Sequence, residues 1–250
     1  MSAKTPMKGG LFDRWSDGDP LTRKRVKVRR DLPTLMSLSA RSLAMEQYRK
    51  LAVGLEERMK ASGKESFVLT ISSPDEGVGK TLTSLNLALT LANRRNGGVL
   101  LADGDLSRPK LHDLLATVPS SGLRDVLKGP QAVGDAVVSV EETGLQLLTA
   151  GTEGLAEEWM FGPRLEQAID VMRSICPLVI IDTSPLPLIA VTQSLANYSD
   201  GVLLVVGAKK SKKNQIEEAL AMLGPDKVIG MVLNRVRTSK FNRYSYEFKE

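Results

Sequence analysis

The sequence predicts an α/β fold, a mostly parallel central sheet with helices on both faces, and two observations carry that expectation. Short apolar runs alternate with stretches of helical periodicity, and the runs are continuously apolar, as strands buried on both faces of a parallel sheet are. The first run leads directly into a glycine-bearing loop and a helix start, S-F-V-L-T-I-S-S-P-D-E-G-V-G-K-T-L-T over residues 66–83. Strand, loop and helix in that order specialise the prediction to a P-loop nucleotide-binding fold.

Taken in order, residues 1–40 mix glycine, proline, serine and charge without apolar periodicity and read as a flexible basic leader. From Ser42 the pattern changes. Ala44, Tyr48, Leu51, Leu55 and Met59 recur at helical spacing, with Glu46, Arg49, Lys50, Glu56 and Glu57 between them. That spacing predicts an amphipathic helix of about five turns, packed on the core or on another subunit. Apolar runs follow at 67–71, 99–103, 145–149, 178–182, 202–206 and 228–233, and each is expected to be a strand. Helices are expected over 80–95, 162–175 and 212–223, with shorter ones near 109–116 and 190–197. Residues 41–238 thus make one P-loop domain, and 239–250 a tail bearing Tyr244 and Tyr246.

Composition narrows the function. The chain of 250 residues is 42% apolar, enough for one sizeable core. Cys176, the single cysteine, lies in an apolar stretch, so a disulfide framework is excluded within the chain and a buried thiol in a reducing compartment is expected. A single histidine, His112, removes His-ligated zinc clusters and argues against a Ser-His-Asp hydrolase. No apolar run approaches the roughly 20 residues that span a bilayer, and no signal-peptide pattern opens the chain, which predicts a cytoplasmic protein. Residues 1–30 hold nine Lys/Arg against three Asp, or +6 of the net +5, so the remaining residues sum to −1. The basic leader suits an anionic lipid surface or an acidic partner. Nucleic acid is not expected, because no aromatic residues are interleaved for stacking.

The candidate chemistry lies where apolar runs stop, since open parallel sheets bind ligands beyond their carboxyl ends. Glu76, Gly77, Val78, Gly79, Lys80, Thr81 and Leu82 form the expected ATP cradle: backbone N–H groups face anionic oxygens, Lys80 reaches the terminal phosphates, and the Thr81 hydroxyl ligates Mg²⁺. Pro74 stands where the G-x-x-x-x-G-K-[ST] pattern has its first glycine. The second run ends in A-D-G-D-L-S-R-P, placing Asp103 and Asp105 at a strand terminus, where two carboxylates can hold a hydrated Mg²⁺ or take a proton from an incoming hydroxyl. The fourth ends in I-I-D-T-S-P, so Asp182 should act on the metal directly or through a water. A lone aspartate after a strand is more often a cap or turn former, but three of them beside a phosphate loop favour a joint site.

With these residues in hand, the chain resembles the bacterial tyrosine kinases of capsule and exopolysaccharide assembly, in their stand-alone form, over residues 42–246. The resemblance rests on I-S-S-P-D-E-G-V-G-K-T, V-L-L-A-D-G-D-L-S-R-P-K-L-H-D-L-L, G-L-R-D-V-L-K-G, V-I-I-D-T-S-P and V-L-N-R-V together. It implies that Lys80 and Thr81 bind the β/γ-phosphates and Mg²⁺, that Asp105 and Asp182 hold the metal or its waters, and that Asp103 is the base. It also implies that Asn234 and Arg235 flank the adenine. Tyr244 and Tyr246 become the phosphoacceptors, presented to a neighbouring subunit of a homo-oligomer. A membrane chain-length-determinant or activator protein is the implied partner, holding the kinase at the inner face of the cell membrane, with a cognate tyrosine phosphatase as a further one. Three positions depart from the family pattern: Pro74, Ser107 where an arginine is usual (Arg108 follows it), and Ala52 where the assembly motif E-x-x-R-x-x-R ends, after Glu46 and Arg49. The tail also carries only two tyrosines.

Two other readings share the architecture. Partition and division-site ATPases are nucleotide-switched dimers with a lysine five places before the loop lysine, and here that place holds Asp75. A non-catalytic ATP-binding regulator of polysaccharide export is the other.

Overall fold

The computed structural model describes residues 25–27, 42–117, 121–129, 133–152, 157–186, 190–224 and 226–236. Tyr244 and Tyr246 lie outside the described residues. In chain order the elements are β1 (Arg25–Val26), α1 (Leu43–Ser62), β2 (Phe67–Ser72), α2 (Lys80–Arg95), β3 (Val99–Asp103), α3 (Leu111–Leu114), α4 (Leu123–Lys128), α5 (Val133–Ala136), β4 (Val137–Val140), β5 (Leu145–Leu148), a 3₁₀ turn at Glu157–Met160, α6 (Pro163–Ile175), β6 (Leu178–Asp182), α7 (Ala190–Tyr198), β7 (Gly201–Gly207), α8 (Lys213–Leu223) and β8 (Val228–Asn234).

The strands form one sheet in the order β1-β4-β5-β3-β6-β2-β7-β8. Of the neighbouring pairs only β4–β5 is antiparallel. The central strands are apolar throughout because alternate side chains enter different cores. Phe67, Leu69 and Ile71 of β2, Val99 and Leu101 of β3, and Leu178 and Ile180 of β6 pack into one core under α1 and α2. Val68, Leu100, Ala102, Val179 and Ile181 enter the opposite core, with Leu165, Ile169 and Met172 of α6. Cys176 is buried in that second core.

Every strand read from the sequence is present, and so are the three long helices. The structure adds β1, α4, α5 and β4, elements of two to six residues whose patterns are too short to declare a period. Within the segment read as a leader, Arg25–Val26 joins the sheet edge beside β4, Val26 is buried, and Lys27 reaches Glu141 at 3.7 Å.

Helix α1 is capped by the Ser42 hydroxyl, which accepts the Met45 N–H at 3.2 Å, and stops at Gly63 in the left-handed region. Its inward face differs from the predicted one by a residue at the start. Met45, Tyr48, Leu51 and Met59 pack against the core with Ala52 and Leu55 buried, while Ala44 is exposed. Ala52 is fully buried, so an arginine at this last position of the assembly motif would have no water to reach. Among the described residues, Glu46 and Arg49 pair with each other, at 3.6 Å.

The crossovers position the site. From β2 the chain passes through α2 to β3, on one side of the sheet centre, and from β6 it passes through α7 to β7, across β2. The carboxyl ends of β2, β3 and β6 therefore border one crevice at the point where the connections diverge.

Candidate active site

The phosphate loop turns between β2 and α2 through Gly77 at φ 63° and Gly79 at φ 96°, left-handed conformations that favour glycine. Gly79 has a second reason to lack a side chain, because a Cβ there would meet Asn234 Nδ2 at 2.5 Å. That amide donates to the Val78 carbonyl at 2.8 Å, and Asn234 Oδ1 accepts the Arg235 N–H at 2.8 Å. Asn234, expected beside the adenine, thus ties the end of β8 to the loop. Arg235 beside it is exposed, at φ 59°. The first turn of α2 is reinforced by Thr83, whose N–H and hydroxyl both donate to the Gly79 carbonyl, at 3.0 and 2.9 Å.

Asp182 and Asp103 end neighbouring strands as register partners. The Asp182 carboxylate accepts the Ser84 hydroxyl at 2.8 Å and is hydrogen-bonded by Thr81. Burial pushes its pKa up to about 6, against those hydrogen bonds and the charge of Lys80, with Asp105 adding to the rise. Asp103 is fully buried, and burial together with the Asp182 charge pushes it up to about 8. The backbone N–H groups of Leu111 and Lys110 oppose that rise, and the Asp105 charge adds to it. Oδ1 accepts from Asp105 at 3.3 Å, and Oδ2 from Lys110 and Leu111 at 3.1 Å each. Lys80 is itself buried, and that burial lowers its pKa while Asp182 and Asp105 pull the other way.

Asp105 is only half-buried. Its Oδ1 accepts the Ser184 hydroxyl at 2.5 Å, the Ser107 hydroxyl at 3.2 Å and the Arg108 N–H at 3.1 Å. Ser107, where the resemblance expects arginine, therefore orients this carboxylate. Arg108 instead bridges to Glu76 across the loop mouth at 3.0 and 3.1 Å, an exposed pair of small energetic weight. Gly104 lets the two acids share one turn, since a Cβ there would strike Ile181 Cγ2 at 2.8 Å and Leu195 Cδ1 at 3.0 Å.

The structure thus brings Lys80, Thr81, Asp103, Asp105 and Asp182 to one crevice, with Glu76, Gly77, Val78 and Gly79 along its loop, Leu82 in the first turn of α2 and Asn234 at its edge. Sequence reading missed Ser84 and Ser184. Ser84 stands three residues after Thr81 on the same helix, so helical periodicity was its available signal; Ser184, two residues beyond Asp182, had none.

Hard oxygen donors fit a magnesium ion here: the Thr81 hydroxyl with the carboxylates of Asp105 and Asp182. Among the described residues no group of three His, Cys, Asp or Glu side chains could hold a metal by itself. The ion would have to be completed by phosphate oxygens and water, as in nucleotide sites.

Comparison with known proteins places the chain in a family. Residues 69–248 match the family model of the CobQ/CobB/MinD/ParA nucleotide binding domain. Tyrosine-protein kinase YwqD of Bacillus subtilis (strain 168) is 32% identical over 214 residues, which cover 82% of this chain and 87% of YwqD. The chain belongs to the bacterial tyrosine kinases of that nucleotide-binding family. Among solved kinases of this kind, the BceF tyrosine kinase domain superposes with a TM-score of 0.70 at 28% identity, over 82% of this chain and 83% of that domain. The succinoglycan biosynthesis transport protein ExoP of Rhizobium meliloti (strain 1021) is 27% identical over 82% of this chain, and the chain spans 26% of ExoP's length. Among the described residues of this kinase, no helix is long and apolar enough to cross a membrane.

Proposed function

We propose that this kinase transfers the γ-phosphoryl group of ATP to Tyr244 and Tyr246, and so regulates the synthesis and export of a capsular or extracellular polysaccharide. The observation that carries the reading is the meeting of Lys80, Thr81 and three acids at the ends of adjoining strands, in a chain whose relatives are tyrosine kinases. Lys80 and the loop N–H groups bind and orient the phosphates. Asn234 and Arg235 border the base. Thr81, Asp105 and Asp182 would hold magnesium, which when bound would neutralise phosphate charge.

In the transfer, the tyrosine oxygen bonds to Pγ as the bond from Pγ to the β,γ-bridging oxygen breaks. ADP leaves, and the phenolic proton passes to a carboxylate and then to solvent. Asp103 is assigned that role from its place at the end of β3 beside Asp182; at about 8 in the nucleotide-free chain it carries a proton near neutral pH, so it must ionise as cation enters the site before it can accept one. Its burial requires the 104–111 turn to shift as the tyrosine enters. Most of the rate comes from positioning and charge stabilisation.

The acceptor tail comes from a neighbouring copy in a homo-oligomer, a membrane activator protein brings the kinase to the inner face of the membrane, and a tyrosine phosphatase resets it. ExoP, whose printed name joins biosynthesis to transport, supports the polysaccharide setting. The nucleotide-switch alternative is disfavoured by Asp75, an acid where a cation would have to meet the transferring phosphoryl group. The test is incubation with Mg-ATP and the activator's cytoplasmic segment, followed by mass-spectrometric mapping. Phosphate on Tyr244 or Tyr246, lost in Lys80→Met, supports the kinase. ATP hydrolysis without phosphotyrosine supports the switch, and ATP binding with neither supports the regulator.

A further inference from the structure

We propose that Lys210 is a second phosphate-binding lysine, presented from the turn after β7 to the same polyphosphate that Lys80 grips; the inference rests on the nucleotide reading above. The turn is closed on itself. The N–H groups of Lys210 and Ser211 both donate to the Gly207 carbonyl at 3.0 Å, and the Ser211 hydroxyl accepts the Gly207 N–H at 3.0 Å. The Ala208 N–H donates to the Asn234 carbonyl at 2.8 Å, fastening the turn to the residue that also holds the phosphate loop. Residue 210 is therefore placed by the ends of β7 and β8.

From there its side chain lies against the loop. The Lys210 ammonium sits 3.1 Å from where a Cβ on Gly77 would begin, in the middle of the cradle. Gly77 thus does two things: it adopts φ 63°, and it leaves a bare backbone face for the ammonium. Gly207 makes the same accommodation from the other side, since a Cβ there would meet Val78 Cγ1 at 2.9 Å and the Lys210 Cβ at 3.2 Å.

Charge gives this placement its meaning. Among the described residues Lys210 enters no ion pair, whereas Lys64 and Lys213 each have an acid. Glu76, next in sequence to Gly77, is engaged by Arg108. An unpaired ammonium is thus held beside a loop built to receive anions. Lys80 alone is an incomplete counter-charge, because it also faces Asp182 and Asp105. Asp75 removes the cation that the nucleotide-switched ATPases carry five places before the loop lysine, and Lys210 supplies one from the same chain.

The experiment is calorimetric titration of the full chain, with magnesium and at two salt concentrations, comparing wild type, Lys210→Ala and Lys210→Arg for adenosine, ADP and a non-hydrolysable ATP analogue. Expected is at least a tenfold loss of affinity for the ATP analogue in Lys210→Ala, a smaller loss for ADP, none for adenosine, a weaker salt dependence, and recovery in Lys210→Arg. The melting temperature of the nucleotide-free variant should match wild type, because the side chain is exposed. Affinity for the ATP analogue within twofold of wild type would overturn the proposal. So would an equal loss for all three ligands accompanied by a lower melting temperature, which marks a structural residue. Failure of wild type to bind any nucleotide would instead remove the nucleotide reading itself.

Discussion

At the amino end of the sheet, Asp200 is gripped by Lys64 at 2.5 Å, Arg173 at 2.7 Å and the Val68 N–H at 2.7 Å, whereas at the carboxyl end Asp103 and Asp182 are buried with far less cation around them. Burial would raise Asp200, but its hydrogen bonds to Arg173, Lys64 and Val68 outweigh it and hold the group below the ordinary carboxylate value. At the other end burial wins, and Asp182 and Asp103 rise to about 6 and about 8. One fold therefore contains a carboxylate satisfied by its own side chains and two that are short of positive charge. A buried acid with too little counter-charge is a cost to stability unless something else supplies it. Under the proposed function, a bound magnesium ion would be that supply.

The largest effect that would sharpen this contrast is on catalysis. Lys80→Met should lower tyrosine phosphorylation by about 10²–10³-fold or more, by loss of charge stabilisation at the phosphates, measured as phosphotyrosine formed per minute, with the nucleotide-free protein still folded. A variant that keeps its activity would break the assignment of the carboxyl end.

Asp200→Ala should do the reverse. It leaves Arg173 and Lys64 without their acid, and since Lys64 is half-exposed the loss should be about 2–4 kcal/mol, at or below the range for a broken buried pair. Urea unfolding reads this, and activity per folded molecule should be unchanged.

The two ends should also respond oppositely to pH. Asp103 binds a proton in the folded chain up to about pH 8 but in the unfolded chain only below about 3.8, so between those values the folded state holds the extra proton. Stability of the nucleotide-free protein should therefore fall as pH rises through that window, with Asp182 contributing up to about pH 6. Asp200, whose pKa is lowered, contributes stability above 3.8 that is lost on acidification. Melting temperatures at pH 5, 6.5 and 8 test this: Asp103→Asn should flatten the slope while lowering phosphorylation by about 10²-fold or more if Asp103 is the base. An unchanged slope would show that Asp103 does not carry the effect.

Asn234→Ala should be milder. It removes one hydrogen bond to the loop, about 1 kcal/mol, visible as weaker nucleotide affinity. Arg108→Ala should be smallest, within about 1 kcal/mol of wild type in stability, because its pair with Glu76 lies in water.

Why some of this was legible in sequence and some not follows from range. The phosphate loop, the strand runs and the acids at their ends are local patterns: Gly77 and Gly79 mark a tight turn, continuous apolarity marks a doubly buried strand, and an aspartate after such a run must emerge at the sheet's edge. Those features alone determined the α/β fold and the glycine-bearing loop, and they named Lys80, Thr81, Asp103, Asp105 and Asp182 as candidates that the structure brings close together. Tertiary structure decided the rest. The place of β1 at the sheet edge, the antiparallel β4–β5 pair, the inward turn of Ala52 and the pinning of Val78 by Asn234 join residues far apart in the chain. So does the difference between Asp200 and Asp103, because an aspartate's charge state is set by which cations and N–H groups packing brings to it and by how much water is removed, and no local pattern encodes either.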